Sequence, residues 1–133
     1  MPRNPDWHKA IERWIRFKKE EGSTIRDFKG NTCLVNGKKT NIHFASPRKD
    51  GTFWFGIGST QLEDVDVFVL LCEKAENYYA VPRKIMEEIA SWRSSQNRYN
   101  FRIDITNHEY IAHKRHRIRE YYQNNLNSHS PFR

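Results

Sequence analysis

Residues Asn31 to Pro82 read NTCLVNGKKTNIHFASPRKDGTFWFGIGSTQLEDVDVFVLLCEKAENYYAVP, a succession of apolar runs divided by turn residues. Asn36-Gly37 lies between Thr32-Cys33-Leu34-Val35 and the alternating run Asn41-Ile42-His43-Phe44. An Asn-Gly pair supplies the two positive-φ positions of a tight type I′ turn, so these runs are predicted to form a hairpin. Lys49-Asp50-Gly51 then turns the chain into Thr52-Phe53-Trp54-Phe55-Gly56-Ile57. Val65 to Leu71 is nearly continuous in apolar residues, the pattern of a central strand buried on both faces. Tyr78-Tyr79-Ala80-Val81 is predicted to pair back on it across a polar turn, with Pro82 ending the strand.

Helical and extended patterns flank this core. Pro5 is placed to open a helix capped by Asn4. Trp7, Ile11, Trp14, Ile15 and Lys18 fall on one helical stripe, and Gly22 closes the helix. Thr24 to Phe28 reads as a short first strand, with Gly30 as the turn after it. A second helix is expected after Pro82, burying Ile85, Met86, Ile89 and Trp92. Tyr99 to Ile105 alternates: Tyr99, Phe101, Ile103 and Ile105 share an apolar face, while Asn100, Arg102 and Asp104 face water or a ligand. Thr106 and Glu109 form a capping box for a predicted last helix that buries Tyr110, Ile111, Ile118, Tyr121 and Tyr122. The fold class is α+β: residues 1–126 form a single nucleic-acid-binding domain with a mixed sheet of five to six strands and flanking helices, and residues 127–133 form a flexible tail.

The 133 residues carry a formal net charge of +7. A polyanionic partner is expected, with DNA first and RNA or an acidic protein as alternatives. The distribution is uneven. Residues 26–49 hold six Lys/Arg against one Asp, and residues 50–76 hold one Lys against six Asp/Glu. No run of about 18 apolar residues is present, so no membrane partner is expected. Cys33 and Cys72 sit in predicted strands and read as free buried thiols of a cytoplasmic, reducing compartment. Exposed strand edges leave room for a dimer.

Signals for catalysis are weak. His113-x-x-His116 has no partner ligands at matching spacing, and Gly56-Ile57-Gly58 lacks the third glycine and the lysine of a phosphate-cradling loop. No metal and no cofactor is expected. Glu63, Asp64 and Asp66 read as the solvated approach to the central strand. Candidate phosphate contacts are Arg26, Lys29, Lys38, Lys39, Arg48 and Lys49, with Lys114, Arg115, Arg117 and Arg119 of the last helix as a second set. Asn41, His43, Trp54 and Tyr79 are candidates to meet a base, through hydrogen bonds or stacking.

The order of elements, closing on Phe53-Trp54-Phe55, then Asp66-Val67-Phe68-Val69-Leu70, then Tyr78-Tyr79-Ala80-Val81-Pro82, resembles the core of the PD-(D/E)XK nucleases, the restriction-endonuclease-like fold. That resemblance implies a DNA-associated scaffold in which two acids hold Mg²⁺ and a lysine steadies the attacking water. The chain departs from it at those positions. Asn31-Thr32 stands where the first Asp belongs, and Asn41-Ile42-His43 stands where Glu-x-Lys belongs. The resemblance therefore implies a DNA-binding recognition module without its own catalysis, with a specific sequence or a modified base as candidate target. Two alternatives stay open: a divergent endonuclease that uses Mg²⁺ through relocated acids, and a protein-interaction domain with a basic surface.

Overall fold

The computed structural model describes residues 5–89, 98–105, 109–110, 116–117 and 132. A helix, α1 (Pro5–Glu20), is followed by three strands, β1 (Ile25–Lys29), β2 (Thr32–Val35) and β3 (Lys38–Ala45). Then come β4 (Phe53–Gly58), a short helix α2 (Ser59–Asp64), β5 (Val67–Cys72), β6 (Tyr78–Pro82) and α3 (Arg83–Ile89). The remaining described strands are β7 (Arg98–Asp104), β8 (Glu109–Tyr110) and β9 (His116–Arg117).

The expected mixed sheet is present, with five strands in the order β1-β2-β3-β5-β6. β1, β2 and β3 form an antiparallel meander, β5 lies parallel to β3, and β6 runs back on β5. Asn36 and Gly37 both take positive φ, 51° and 82°, and join β2 to β3 in a two-residue loop. β5 is buried at all six positions, as its unbroken apolar run predicts. Val67, Val69 and Leu71 face α1 together with Cys33, Val35, Ile42, Tyr78 and Ala80. Phe68, Leu70 and Cys72 face the other way, with Tyr79 and Val81. Period-two alternation thus feeds two separate cores from one strand.

α1 covers the first of these cores. Ile11 and Trp14 are fully buried, and Trp14 meets Tyr78 edge-on at 5.7 Å between ring centroids. Lys18, on the same stripe, is 6% exposed; its ammonium donates to Glu21 and lies 3.4 Å from the Tyr78 hydroxyl. Gly22 ends the helix at φ 95°, with Ser23 N–H bonded to Lys18 C=O and Gly22 N–H to Lys19 C=O. That pair of bonds is a Schellman closure, which needs the left-handed residue glycine supplies.

Three features depart from the expectation. A second sheet, β4-β7-β8-β9, covers the other core, and β4 belongs to it rather than to the first. Phe53, Phe55 and Ile57 point into that core with Ile103 of β7, so β4 buries one face by packing across the sheet instead of joining its edge. Second, Ser59–Asp64 is helical, where no helix was expected, although Glu63, Asp64 and Asp66 are exposed as expected. Third, Glu109–Tyr110 and His116–Arg117 are extended and pair antiparallel, Glu109 with Arg117 and Tyr110 with His116. The helix predicted from Thr106 is therefore wrong at these four positions: ladder bonds to β7 outweigh the local capping-box pattern. In the segment expected as a tail, Phe132 is buried between Trp14 and Lys18. Trp92 lies outside the described residues. The edge strand β1 carries a register break between Arg26 and Lys29, where Asp27 takes φ 54°.

Asn36 does more than turn the chain. Its side-chain oxygen accepts the Thr24 N–H at 2.8 Å, and its amide donates to the Phe132 carbonyl at 3.3 Å. Asn36→Ala is expected to lower unfolding stability by about 1–2 kcal/mol, from these bonds and from an alanine forced to positive φ. Asn36→Gly should recover the backbone part only. Denaturant midpoints of the three chains measure the difference.

Candidate nucleic-acid interface

The turn before β4 fixes one exposed cluster. Arg48 N–H bonds to Thr52 C=O, Gly51 N–H bonds to Arg48 C=O, and Gly51 takes φ 82°. The Asp50 carboxylate accepts the Thr52 hydroxyl at 2.6 Å and its N–H at 3.0 Å. These two bonds, with the Arg102 guanidinium 4.0 Å away, hold the Asp50 carboxyl below the usual carboxylate range. The chain leaves this turn with Phe53 and Phe55 inward, so Trp54 points outward and is 42% exposed. Arg102 is its direct cross-strand partner on β7. The Arg102 guanidinium lies 5.5 Å from the indole centroid and that of Arg48 lies 5.0 Å from it. Two cations and one aromatic ring thus share an open sheet face, a cation–π cluster that two strands and a tied turn hold in place.

The other predicted phosphate contacts sit elsewhere. Arg26, Lys29 and Lys39 are exposed and Lys38 is half-buried, all on the meander. Lys39 has partners already: its ammonium pairs with Asp64, and its backbone N–H donates to Asp66 at 3.0 Å. From Lys39 to Ala45 the strand extends about 20 Å. Lys38 and Lys39 therefore start β3, whereas Arg48 and Lys49 lie beyond its far end. Neighbours in sequence become two basic sites rather than one surface. Lys114, Arg115 and Arg119 lie outside the described residues. Arg117 belongs to β9, in the same sheet as Trp54.

Asn31, Thr32 and Asn41 are neighbours on β2 and β3 and the turn before them. Thr32 and Asn41 are register partners on adjacent strands, and Asn31 reaches Asn41 with a side-chain contact of 3.5 Å. Asn41 is 1% exposed. Thr32, Lys39, Asn41, Gln61, Glu63 and Asp64 line a cleft of about 400 Å³ against α2. A neutral amide and a hydroxyl do not fit as the anchoring ligands of Mg²⁺, which takes carboxylate oxygens. Among the described residues no group of three or more His, Cys, Asp or Glu side chains is arranged to hold a metal ion. His43 is half-buried, its ring stacked near Phe68 at 6.4 Å, and Tyr79 is fully buried in the core. Neither stands beside Trp54 in the exposed cluster.

Trp54 and Arg48 are site candidates by residue type alone, whereas Arg102 and Asp50 join them only through the fold. Arg102 was legible as an outward residue of its strand; its partnership with Trp54 depends on a pairing 48 positions away along the chain. No described helix is long and apolar enough to cross a membrane. No known protein family matches the chain, and no curated protein is similar to it.

Proposed function

We propose that the chain is a DNA-binding recognition module of restriction-endonuclease-like descent that does not itself cut. One observation carries the reading: Arg48, Trp54 and Arg102 form an exposed cationic and aromatic cluster on a sheet face. Guanidiniums neutralise phosphates and an exposed indole offers a surface to a base. The helix, the antiparallel meander and the parallel strand β5 support this reading of descent, while Phe53–Phe55 lies in the second sheet. The slots hold Thr32 and Asn41, which supply no carboxylate for metal-assisted hydrolysis. The free thiols Cys33 and Cys72 suit a reducing, cytoplasmic setting.

The divergent-endonuclease reading has one observation in its favour: Glu63 and Asp64 line the same cleft as Thr32 and Asn41. A gel-shift assay with short methylated and unmethylated duplexes and single strands, with Mg²⁺ at two salt concentrations, separates the two. The module gives a shifted, uncut band that weakens as salt rises. Arg48→Ala with Lys49→Ala should lower affinity and flatten the log–log salt slope by up to about 2. Cleavage lost in Glu63→Gln or Asp64→Asn would establish the nuclease instead. Absence of any shift at low salt would end the nucleic-acid reading.

A further inference from the structure

We infer that the Trp54 face takes unpaired nucleotides, single-stranded DNA or RNA, by stacking a base against the indole–guanidinium cluster; this rests on the nucleic-acid reading above. The ring belongs to neither hydrophobic core. Trp14 is fully buried, and the inward neighbours of Trp54, Phe53 and Phe55, are buried too, yet Trp54 is 42% exposed. Its two flanking cations are held differently. Arg102 lies 4.0 Å from Asp50, whose carboxylate is itself fixed by Thr52. Among the described residues Arg48 has no carboxylate partner, so it is the cation that can swing to a phosphate and release one side of the ring.

The strand beside the ring suits a chain laid along it. Trp54, Gly56 and Gly58 share the outward row of β4, so that row contributes a single side chain over about 13 Å. The cross-strand positions are Arg102, Asn100 and Arg98, all polar residue types. In a duplex each base face is already stacked on its neighbours; only an unpaired base has a free face for an indole or a guanidinium plane. Such stacking tolerates any base, so the expected selectivity is for strandedness and not for sequence.

Fluorescence anisotropy with an oligo-dT, an oligo-rU and a duplex of equal length, at two salt concentrations, tests the inference. Single strands should bind more tightly than the duplex. Trp54→Ala should weaken single-strand binding roughly 5- to 100-fold while changing duplex binding little, and Trp54→Phe should keep most of the affinity. Quenching of tryptophan emission by the single strand should disappear in Trp54→Phe, with Trp7, Trp14 and Trp92 unchanged. The dT and rU arms distinguish DNA from RNA. Salt-dependent binding with equal affinity for both forms and no Trp54→Ala effect would overturn the stacking inference and leave nucleic-acid binding standing. No binding of any oligonucleotide at low salt would overturn both.

Discussion

Raising the pH from 8 to 11 is expected to remove on the order of 4 kcal/mol of stability, through two thiols that never meet. Cys33 faces α1 and Cys72 faces the second sheet, so the five-stranded sheet separates them. Burial pushes the Cys33 thiol from 9.0 up to about 11 and raises Cys72 further. Both thiols keep their protons to higher pH in the fold than in the unfolded chain, whose thiols ionise above pH 9. The unfolded chain then binds fewer protons, and stability falls as pH rises. The contribution is whole below pH 9 and is lost progressively toward pH 11, at slightly over 1 kcal/mol per pH unit for each thiol. Tyr78, raised chiefly by burial and pulled partly back by Lys18, adds to the same trend above pH 10. Guanidinium midpoints at pH 8 and 11, with reductant, measure the drop. Cys33→Ala and Cys72→Ala should each start less stable and lose less on going alkaline. An undiminished drop in the double variant would assign it to other groups.

Phe132→Ala is expected to cost about 3 kcal/mol. The ring is 4% exposed, tilted against Trp14 at 6.1 Å, with the Lys18 ammonium 5.3 Å from its centroid. Its removal loses the transfer energy of a buried aromatic and leaves a cavity, which together run to about 3–5 kcal/mol in protein cores. The substitution also strips a cation–π face from Lys18, a buried ammonium that keeps Glu21 and Tyr78. Phe132→Leu should recover most of the loss. Denaturant unfolding at constant m-value gives the figure; a change below about 0.5 kcal/mol, the size of an ordinary surface substitution, would mean that the ring does not dock in solution.

Local chemistry made much of the fold legible. The Asn36-Gly37 turn, the doubly buried β5, the return of β6 and the stripe of α1 each follow from residues within a few positions of one another. Lys18 was even placed on the buried stripe by its spacing alone. What failed depended on partners distant in sequence. β4 carries aromatic residues on both faces, and nothing near it says that Phe53 and Phe55 cover a second layer while Trp54 stays out. Thr106 and Glu109 match a helix start, yet Glu109 and Tyr110 are claimed by β7. Phe132 sits among polar residues and reads as tail; only the gap beside Trp14 gives it a place. At the candidate site, Trp54 and Arg48 were visible as types, whereas Arg102 became a partner through register. The basic residues 26–49 read as one patch because sequence distance conceals that a strand intervenes.

The break in β1 bears on how the molecule behaves in concentrated solution. β1 is an outer strand of the five-stranded sheet, and such a strand offers unpaired N–H and C=O groups to any chain that can align with it. Asp27 at φ 54° throws the ladder out of register there, and exposed Arg26, Asp27 and Lys29 put charge on either side of the exposed Phe28. A second copy approaching in extended form meets a kinked, charged border that it cannot continue. The same irregularity that shortens the hairpin pairing thus works against continuation of this flank of the sheet by a second copy.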